Sequence, residues 1–262
     1  MKVVRALYKS KPSWAYINKD TLALLSDAPW LGGKLTGEKI SYDIKELLAP
    51  CLPGKILAVA VNYPGVTGLD TSIKEPLTFI KTPNCVVGPN EAIINPFNDF
   101  ATWGECELAV VIGKRLCKAS AEEAKSAVFG YTIANDVTVE NSGKRDHHLA
   151  RSKAIDTFCP VGPWIETEYQ PGEQVIEGLH NNILLRQGRI NERLHKEPAL
   201  LVWLSSWITL EPGDLILTGA PTRVRERIFF QDGDTYTCRI EGLGFLKTSY
   251  SAGNKDETNY SF

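Results

Sequence analysis

From Lys55 onward the chain is divided into short apolar runs closed by proline, glycine or asparagine, and this punctuation limits the fold more than any other feature. Residues 56–61 are continuously apolar between Pro53-Gly54 and Asn62-Tyr63-Pro64-Gly65. Further short strand-like segments lie at 77–81, 92–94, 108–112 (closed by Gly113), 129–133, 215–217 and 236–240. Runs of this length between turn residues predict strands, and an unbroken apolar run predicts a strand buried on both faces. Helical signals are fewer. Ser120 and Glu123 form a capping box that opens a helix through Ala124 and Ala127. Leu200, Leu201, Leu204 and Trp207 share one face of a helix predicted over 198–207. Glu211-Pro212-Gly213-Asp214 predicts a tight turn, with proline second and glycine third. The expected fold class is α+β: mostly β with a few helices.

The first fifty residues have a different character. Strands are expected at 3–8 and 13–17, after which Pro29, Gly32, Gly33 and Gly37 punctuate the chain. Residues 43–48 read as a short helix or an extended segment leading into the junction Leu48-Ala49-Pro50-Cys51-Leu52-Pro53-Gly54. Two units follow from this reading: a small N-terminal domain, 1–52, and a main domain, 53–262. The polar tail from Ser251 is expected to be solvated or frayed.

Composition excludes several function classes. The 262 residues suffice to bury a sizeable core, and a formal net charge of −2 gives no field to recruit nucleic acid or an anionic membrane. Six scattered cysteines form no C-x-x-C pair and read as reduced thiols, several of them buried. No apolar run approaches the length of a membrane span, and the start Met1-Lys2-Val3-Val4-Arg5 has no apolar core of a signal peptide. A cytoplasmic enzyme acting on a small molecule is the expectation.

The chemistry concentrates in Trp103-Gly104-Glu105-Cys106-Glu107, just ahead of the apolar run 108–112. A period of two puts Glu105 and Glu107 on one face and Cys106 on the other. Taken alone, the pair reads either as two solvated glutamates at an exposed strand end or as two ligands of a hard cation. Two neighbouring carboxylates repel unless a proton or cation lies between them. Asp136 ends a second apolar run, Gly130-Tyr131-Thr132-Ile133-Ala134-Asn135, and could complete a three-carboxylate site for Mg²⁺ or Mn²⁺ with positions left open. Lys153 precedes a Gly/Pro-bounded apolar segment, either as a surface charge or as a group that neutralises a substrate carboxylate or enolate.

In order along the chain, Val61-Asn62-Tyr63, 76–81, 103–113, 130–137, 153–163, 209–221 and 240–244 resemble the fumarylacetoacetate hydrolase family. The resemblance implies a mixed β-sandwich roll behind a small N-terminal domain, and a homodimer. It implies that Glu105, Glu107 and Asp136 are metal ligands and that Lys153 is the active-site lysine. By the same resemblance Asn62, Tyr63, Gln187 and Thr218 fall among substrate-pocket positions. One departure stands out: the family often has a water-activating histidine four residues after the asparagine of Asn-Tyr, and here that residue is Val66.

A metal at such a site stabilises the enolate of a 2-oxo acid. Decarboxylation, keto–enol isomerisation and hydrolytic C–C cleavage share that intermediate, and only hydrolysis demands an activated water. Without the histidine, decarboxylation or isomerisation of a small 2-oxo (di)carboxylic acid is the leading expectation. Hydrolysis of acylpyruvate type is the alternative, with His147 or His148 in the polar loop 144–148 moving the proton, although two surface histidines are the plainer reading of that loop. A non-catalytic subunit that binds metal and ligand is a further alternative. His180 and His195 are given no role, and Arg223, Arg225 and Arg227 read as a solvated strand face or as partners of a distal carboxylate.

Overall fold

The run 108–112 lies within a strand, Cys106–Ile112, whose every residue is buried. Its alternate residues enter two different cores, Cys106, Leu108, Val110 and Ile112 one, Ala109 and Val111 the other. The computed structural model describes residues 1–66, 74–97, 100–141 and 146–253. In chain order the strands are β1 (Lys2–Tyr8), β2 (Lys11–Asn18), β3 (Thr21–Leu25), β4 (Leu35–Ser41), β5 (Ile56–Ala60), β6 (Leu77–Lys81), β7 (Val86–Val87), β8 (Ala92–Asn95), β9 (Thr102–Trp103) and β10 (Cys106–Ile112). The helix α1 (Ala121–Ser126) is followed by β11 (Val128–Asn135), β12 (Thr138–Val139), α2 (Ala150–Lys153), β13 (Cys159–Glu166), β14 (Val175–His180) and β15 (Ile183–Arg189). The chain continues with α3 (Ala199–Ser205), β16 (Leu215–Leu217), β17 (Thr235–Ile240) and β18 (Gly244–Ala252). Among the described residues the fold is mostly β with three short helices, as expected.

A large mixed sheet runs β4-β3-β2-β1-β13-β11-β10-β16-β5-β6, with β7 also paired to β13. A five-stranded sheet, β15-β14-β17-β18-β8, packs against one face of it. Their shared core joins Leu57, Leu108 and Ile133 of the large sheet to Ile176, Cys238 and Leu246 of the smaller one. The large sheet curls into a roll. β6 pairs with β5 at one end of the order, yet residues 82–85 connect it directly to β7, which lies beside β13 on the far side. That closure places the C-terminal end of β6 over the end of β11.

The first fifty residues are strands of this same sheet: β1 pairs with β13 through Lys2↔Glu166 and Val3↔Ile165. They nevertheless have their own small core of Val4, Ala6, Ala15, Leu22, Leu24 and Leu47. Between them and the roll, residues 44–46 form a single tight helical turn.

Several local expectations need correcting. α3 buries Leu200, Leu201 and Leu204, but it ends at Ser205 and leaves Trp207 half exposed, its ring edge-on to Trp203. Ser251 and Ala252 are not frayed; they close β18 and pair in parallel with Ile94 and Asn95 of β8. Residues 254–262 of the tail, and residues 144 and 145 of the polar loop, lie outside the described residues. β5 stops at Ala60 because Val61 takes a left-handed conformation, φ 55°, which turns the chain into Asn62. The capping box at Ser120 forms as read, with Ser120 Oγ accepting from Glu123 N and Glu123 Oε2 accepting from Ser120 N.

Candidate active site

Antiparallel pairing of β10 with β11 brings the start of one strand beside the end of the other. Glu107 lies opposite Ala134, and Asp136 N donates to Glu105 O at 2.9 Å. Period-two alternation then puts Glu105, Glu107 and Asp136 on one side of the pair. Asn135 faces the other way and accepts from Glu105 N at 2.9 Å, which fixes the residue just before β10 begins. The exposed-strand-end reading of the two glutamates fails, because Glu107 is 3% exposed.

Basic groups arrive from three elements. Lys81, at the end of β6, is fully buried and sets Nζ 2.8 Å from Asp136 Oδ1. In a flat sheet with strands about 4.8 Å apart, β6 and β11 would be separated by roughly 19 Å, so this contact exists only because the sheet rolls. Lys81 also donates to Val137 O at 3.3 Å and Lys153 O at 2.5 Å, tying α2 to the floor of the site. Lys153, the last residue of α2, donates to Asp136 Oδ2 and to Thr138 Oγ1 (2.7 Å) and lies 3.4 Å from Glu105 Oε2. Arg186 comes from β15 in the facing sheet, donates to Glu105 Oε1 and is anchored by Pro221 O at 2.7 Å.

Glu107 has a poorer environment. Its Oε2 accepts from Gly219 N at 2.6 Å, and no cation pairs with it among the described residues. Burial, then the charges of Asp136 and Glu105, push its carboxyl well above the usual carboxylate range. Burial acts the same way on Asp136, but Lys153 and Lys81 outweigh it and hold that carboxyl below its ordinary value. Burial works against the Lys153 ammonium, and the carboxylates of Asp136 and Glu105 more than compensate, so its pKa is raised. Its ammonium form is thus favoured while it faces these two carboxylates.

The other residues implicated by sequence lie as follows. Asn62 is saturated by backbone: its amide donates to His195 O and Thr218 O, both at 2.8 Å, and its Oδ1 accepts from His195 N at 2.7 Å. Thr218 is fully buried and bonds Leu108 O through both its N–H (3.0 Å) and its hydroxyl (2.8 Å). Together they clamp the turn that aims Gly219 N–H at Glu107. The Tyr63 hydroxyl is buried without a hydrogen-bond partner among the described residues. Gln187 is exposed and donates to Glu177 Oε1 at 2.8 Å, on the face of β15 opposite to its neighbour Arg186. His147 and His148 are exposed on the turn that leads into α2. Val66 is partly buried against the apolar core. Lys81, Arg186 and the Gly219 amide were not singled out from sequence. Strand alternation at Arg186-Gln187 and the lysine ending 77–81 were the available signals.

Whether these residues suit a divalent ion can be tested on the chemistry present. The donors are all carboxylate oxygens, the set preferred by Mg²⁺ and Mn²⁺. Among the described residues no three acidic side chains already converge on one point. The Lys153 ammonium instead lies against both Glu105 and Asp136, a cation in the space a metal ion would need. Three carboxylates face Lys81, Lys153 and Arg186, so the charges balance in number, yet Glu107 still lacks a cation of its own. The residues fit a divalent ion, provided Lys153 withdraws from Glu105.

The chain is similar to known proteins in sequence and in fold. A family profile described as fumarylacetoacetate (FAA) hydrolase C-terminal matches residues 55–250, and one described as Rv2993c-like, N-terminal, matches residues 1–50. A mitochondrial oxaloacetate tautomerase of Bos taurus, FAHD2B, is 36% identical over 211 residues, covering 76% of this chain and 67% of its own. The crystal structure of a 5-carboxymethyl-2-hydroxymuconate delta-isomerase from Mycobacterium smegmatis superposes with a TM-score of 0.87 at 32% identity, covering 97% of this chain and 100% of the other. A maleylpyruvate hydrolase from Sphingobium sp. SYK-6, solved with manganese(II) and pyruvate, superposes at 0.73 with 25% identity over the same shares. No helix among the described residues is long and apolar enough to cross a membrane.

Proposed function

The chain belongs to the fumarylacetoacetate hydrolase family, and from that premise we propose that it is a divalent-metal-dependent enzyme that stabilises the enolate of a small 2-oxo (di)carboxylic acid and decarboxylates or isomerises it. The observation that carries this reading is Glu107, a buried carboxylate beside two others with, among the described residues, one N–H and no paired cation. Glu105, Glu107 and Asp136 would hold Mg²⁺ or Mn²⁺, which when bound supplies Lewis acidity toward adjacent carboxylate and enolate oxygens. Adding two positive charges to a balanced site suits a ligand that becomes doubly negative, as a 2-oxo acid does on enolisation.

The chain's own residues do the rest. Lys153, still held by Asp136 and Thr138 once it withdraws from Glu105, offers its ammonium to the charge that develops on the enolate. Lys81 holds Asp136 and the end of α2 in place. Val66 has no proton to give or take, which favours reactions that need no activated water. The tautomerase and isomerase among the relatives act in that same chemical class by name.

Hydrolysis is the second reading, supported by the hydrolase relative and by His147 and His148, exposed ahead of α2. Cytoplasmic location and a homodimer complete the proposal; Leu77 and Ile80, exposed on β6, are apolar groups that a second copy would cover. The test is turnover of oxaloacetate, acylpyruvates and unsaturated oxo-diacids by EDTA-treated protein with and without Mg²⁺ or Mn²⁺, with products identified by mass spectrometry. Metal-restored decarboxylation or isomerisation supports the leading reading. Two fragments without CO₂ would replace it with hydrolysis, and no turnover would favour a non-catalytic ligand-binding role.

A further inference from the structure

Beside the carboxylates, three arginines gather with little negative charge to match them. Arg186, Arg223 and Arg227, with Trp103, Gly104 and Ile228, line a cavity of about 10 Å³, room for one water. Arg186 already serves Glu105. Backbone pairing of Arg186 with Arg223 fixes the second arginine next to the first. Arg227 lies over the indole of Trp103, its guanidinium carbon 3.8 Å from the ring centroid, and its buried Nε has no hydrogen-bond partner among the described residues. Among the described residues neither Arg223 nor Arg227 has a carboxylate within ion-pair distance. Glu105 is one carboxylate beside three guanidiniums, and the excess positive charge is relieved when a further anion binds. Packing on Trp103 orients Arg227 while leaving its planar donors available.

The cavity also has the right neighbours. Gly104 precedes Glu105, and Arg186 both lines the cavity and holds Glu105 Oε1, so one side chain separates it from the carboxylate cluster. The segment carrying Arg223 and Arg227 runs between Pro221 and Phe230 without regular strand pairing and exposes Val224, Ile228 and Phe229. A carboxylate, larger than one water, would need this segment to shift outward.

We propose that Arg223 and Arg227 form the subsite for the second, distal carboxylate of a dicarboxylic 2-oxo acid, which makes this chain selective for dianionic over monoanionic substrates. The inference rests on the proposed reading of the Glu105–Glu107–Asp136 site for the other end of the molecule. Arg225, exposed and outside the cavity lining, has no part in it.

The experiment compares Arg223→Gln, Arg227→Gln and, as control, Arg225→Gln with the unaltered protein in the presence of Mn²⁺. Steady-state kinetics are measured on oxaloacetate and on a monocarboxylic acylpyruvate, and equilibrium binding on 2-oxoglutarate and 2-oxobutyrate. Loss of one charge-assisted contact predicts a KM or Kd for the dicarboxylate raised roughly 10- to 100-fold in the first two variants. The monocarboxylate values and the Arg225 variant should be unchanged. Equal losses for both ligand classes, or no loss for either, would overturn the subsite. If the unaltered protein turns over neither substrate but prefers 2-oxoglutarate in an arginine-dependent way, the subsite stands and the proposed reaction falls.

Discussion

At the N-terminal end of β16, Asp214 is buried with Lys55 Nζ on one oxygen, Glu211 N at 2.7 Å on the same oxygen, and Lys55 N at 3.1 Å on the other. At the C-terminal end, just past Thr218, Gly219 N meets Glu107, a carboxylate as deeply buried but, among the described residues, with one backbone donor and no basic partner. The same three-residue strand thus connects an acid whose valences are filled by the chain itself to one whose valences are left open. A carboxylate that is saturated holds the fold together. One that is unsaturated costs free energy in the folded state, and that cost is recovered when a cation arrives.

Substitutions at the two ends should therefore behave oppositely. Glu107→Gln is expected to lower metal-dependent kcat/KM by ~10³-fold or more, since several kcal/mol of transition-state stabilisation depends on the ion. The melting temperature of the metal-free protein should hold or rise, because a buried carboxyl whose ionisation its surroundings oppose has gone. A drop in metal-free stability with activity retained would erase the distinction. Asp214→Ala should do the reverse: about 3 kcal/mol lost in urea denaturation, with Lys55 and two backbone donors left unpaired, and kcat per folded molecule kept.

Gly219→Ala tests the link between the ends. A Cβ there would meet Asn62 Cβ at 2.7 Å and Val59 O at 3.1 Å, on a backbone at φ 90°. About 1–3 kcal/mol of destabilisation should accompany a fall in activity larger than that of a distant variant of equal stability, as the N–H leaves Glu107. Kinetics at matched folded fraction would show it. The smallest effect concerns another self-satisfied acid, Asp234. Burial works upward on its carboxyl, but Gln231 N–H, the Asn181 amide and His180 outweigh it and depress the pKa. A depressed carboxyl adds stability that is complete above its unfolded pKa, near 3.9, and that disappears as pH falls through the folded value. Asp234→Asn should lower the melting temperature slightly at pH 6, by less than about 1 kcal/mol of stability for so partial a burial, and the deficit should narrow toward pH 3.

The strand frame was legible where apolar runs were unbroken. β5, β10 and β11 all carry the signature of burial on both faces. β13 was hidden by Pro160 and Pro163, which ordinarily exclude a central strand. The β14–β15 hairpin was hidden by charged residues that face solvent or the site, although Asn181 and Asn182, both at positive φ, are the usual turn signal. Within the site, the carboxylates could be read because two-residue spacing needs only one strand. Lys81 could not, because its meeting with Asp136 depends on a roll closing across five strands. Arg186 comes from the facing sheet, a contact that local periodicity does not encode.

The proposed role of Glu107 is to bind a metal ion. Its most direct test is the melting temperature of EDTA-treated protein titrated with Mn²⁺, in the unaltered chain and in Glu107→Gln. At a hundredfold excess over Kd, binding adds about 2.7 kcal/mol, which for a chain of this size is a rise of roughly 5 °C or more; that rise should be lost in the variant. No rise in the unaltered protein, or an equal rise in both, would contradict the claim.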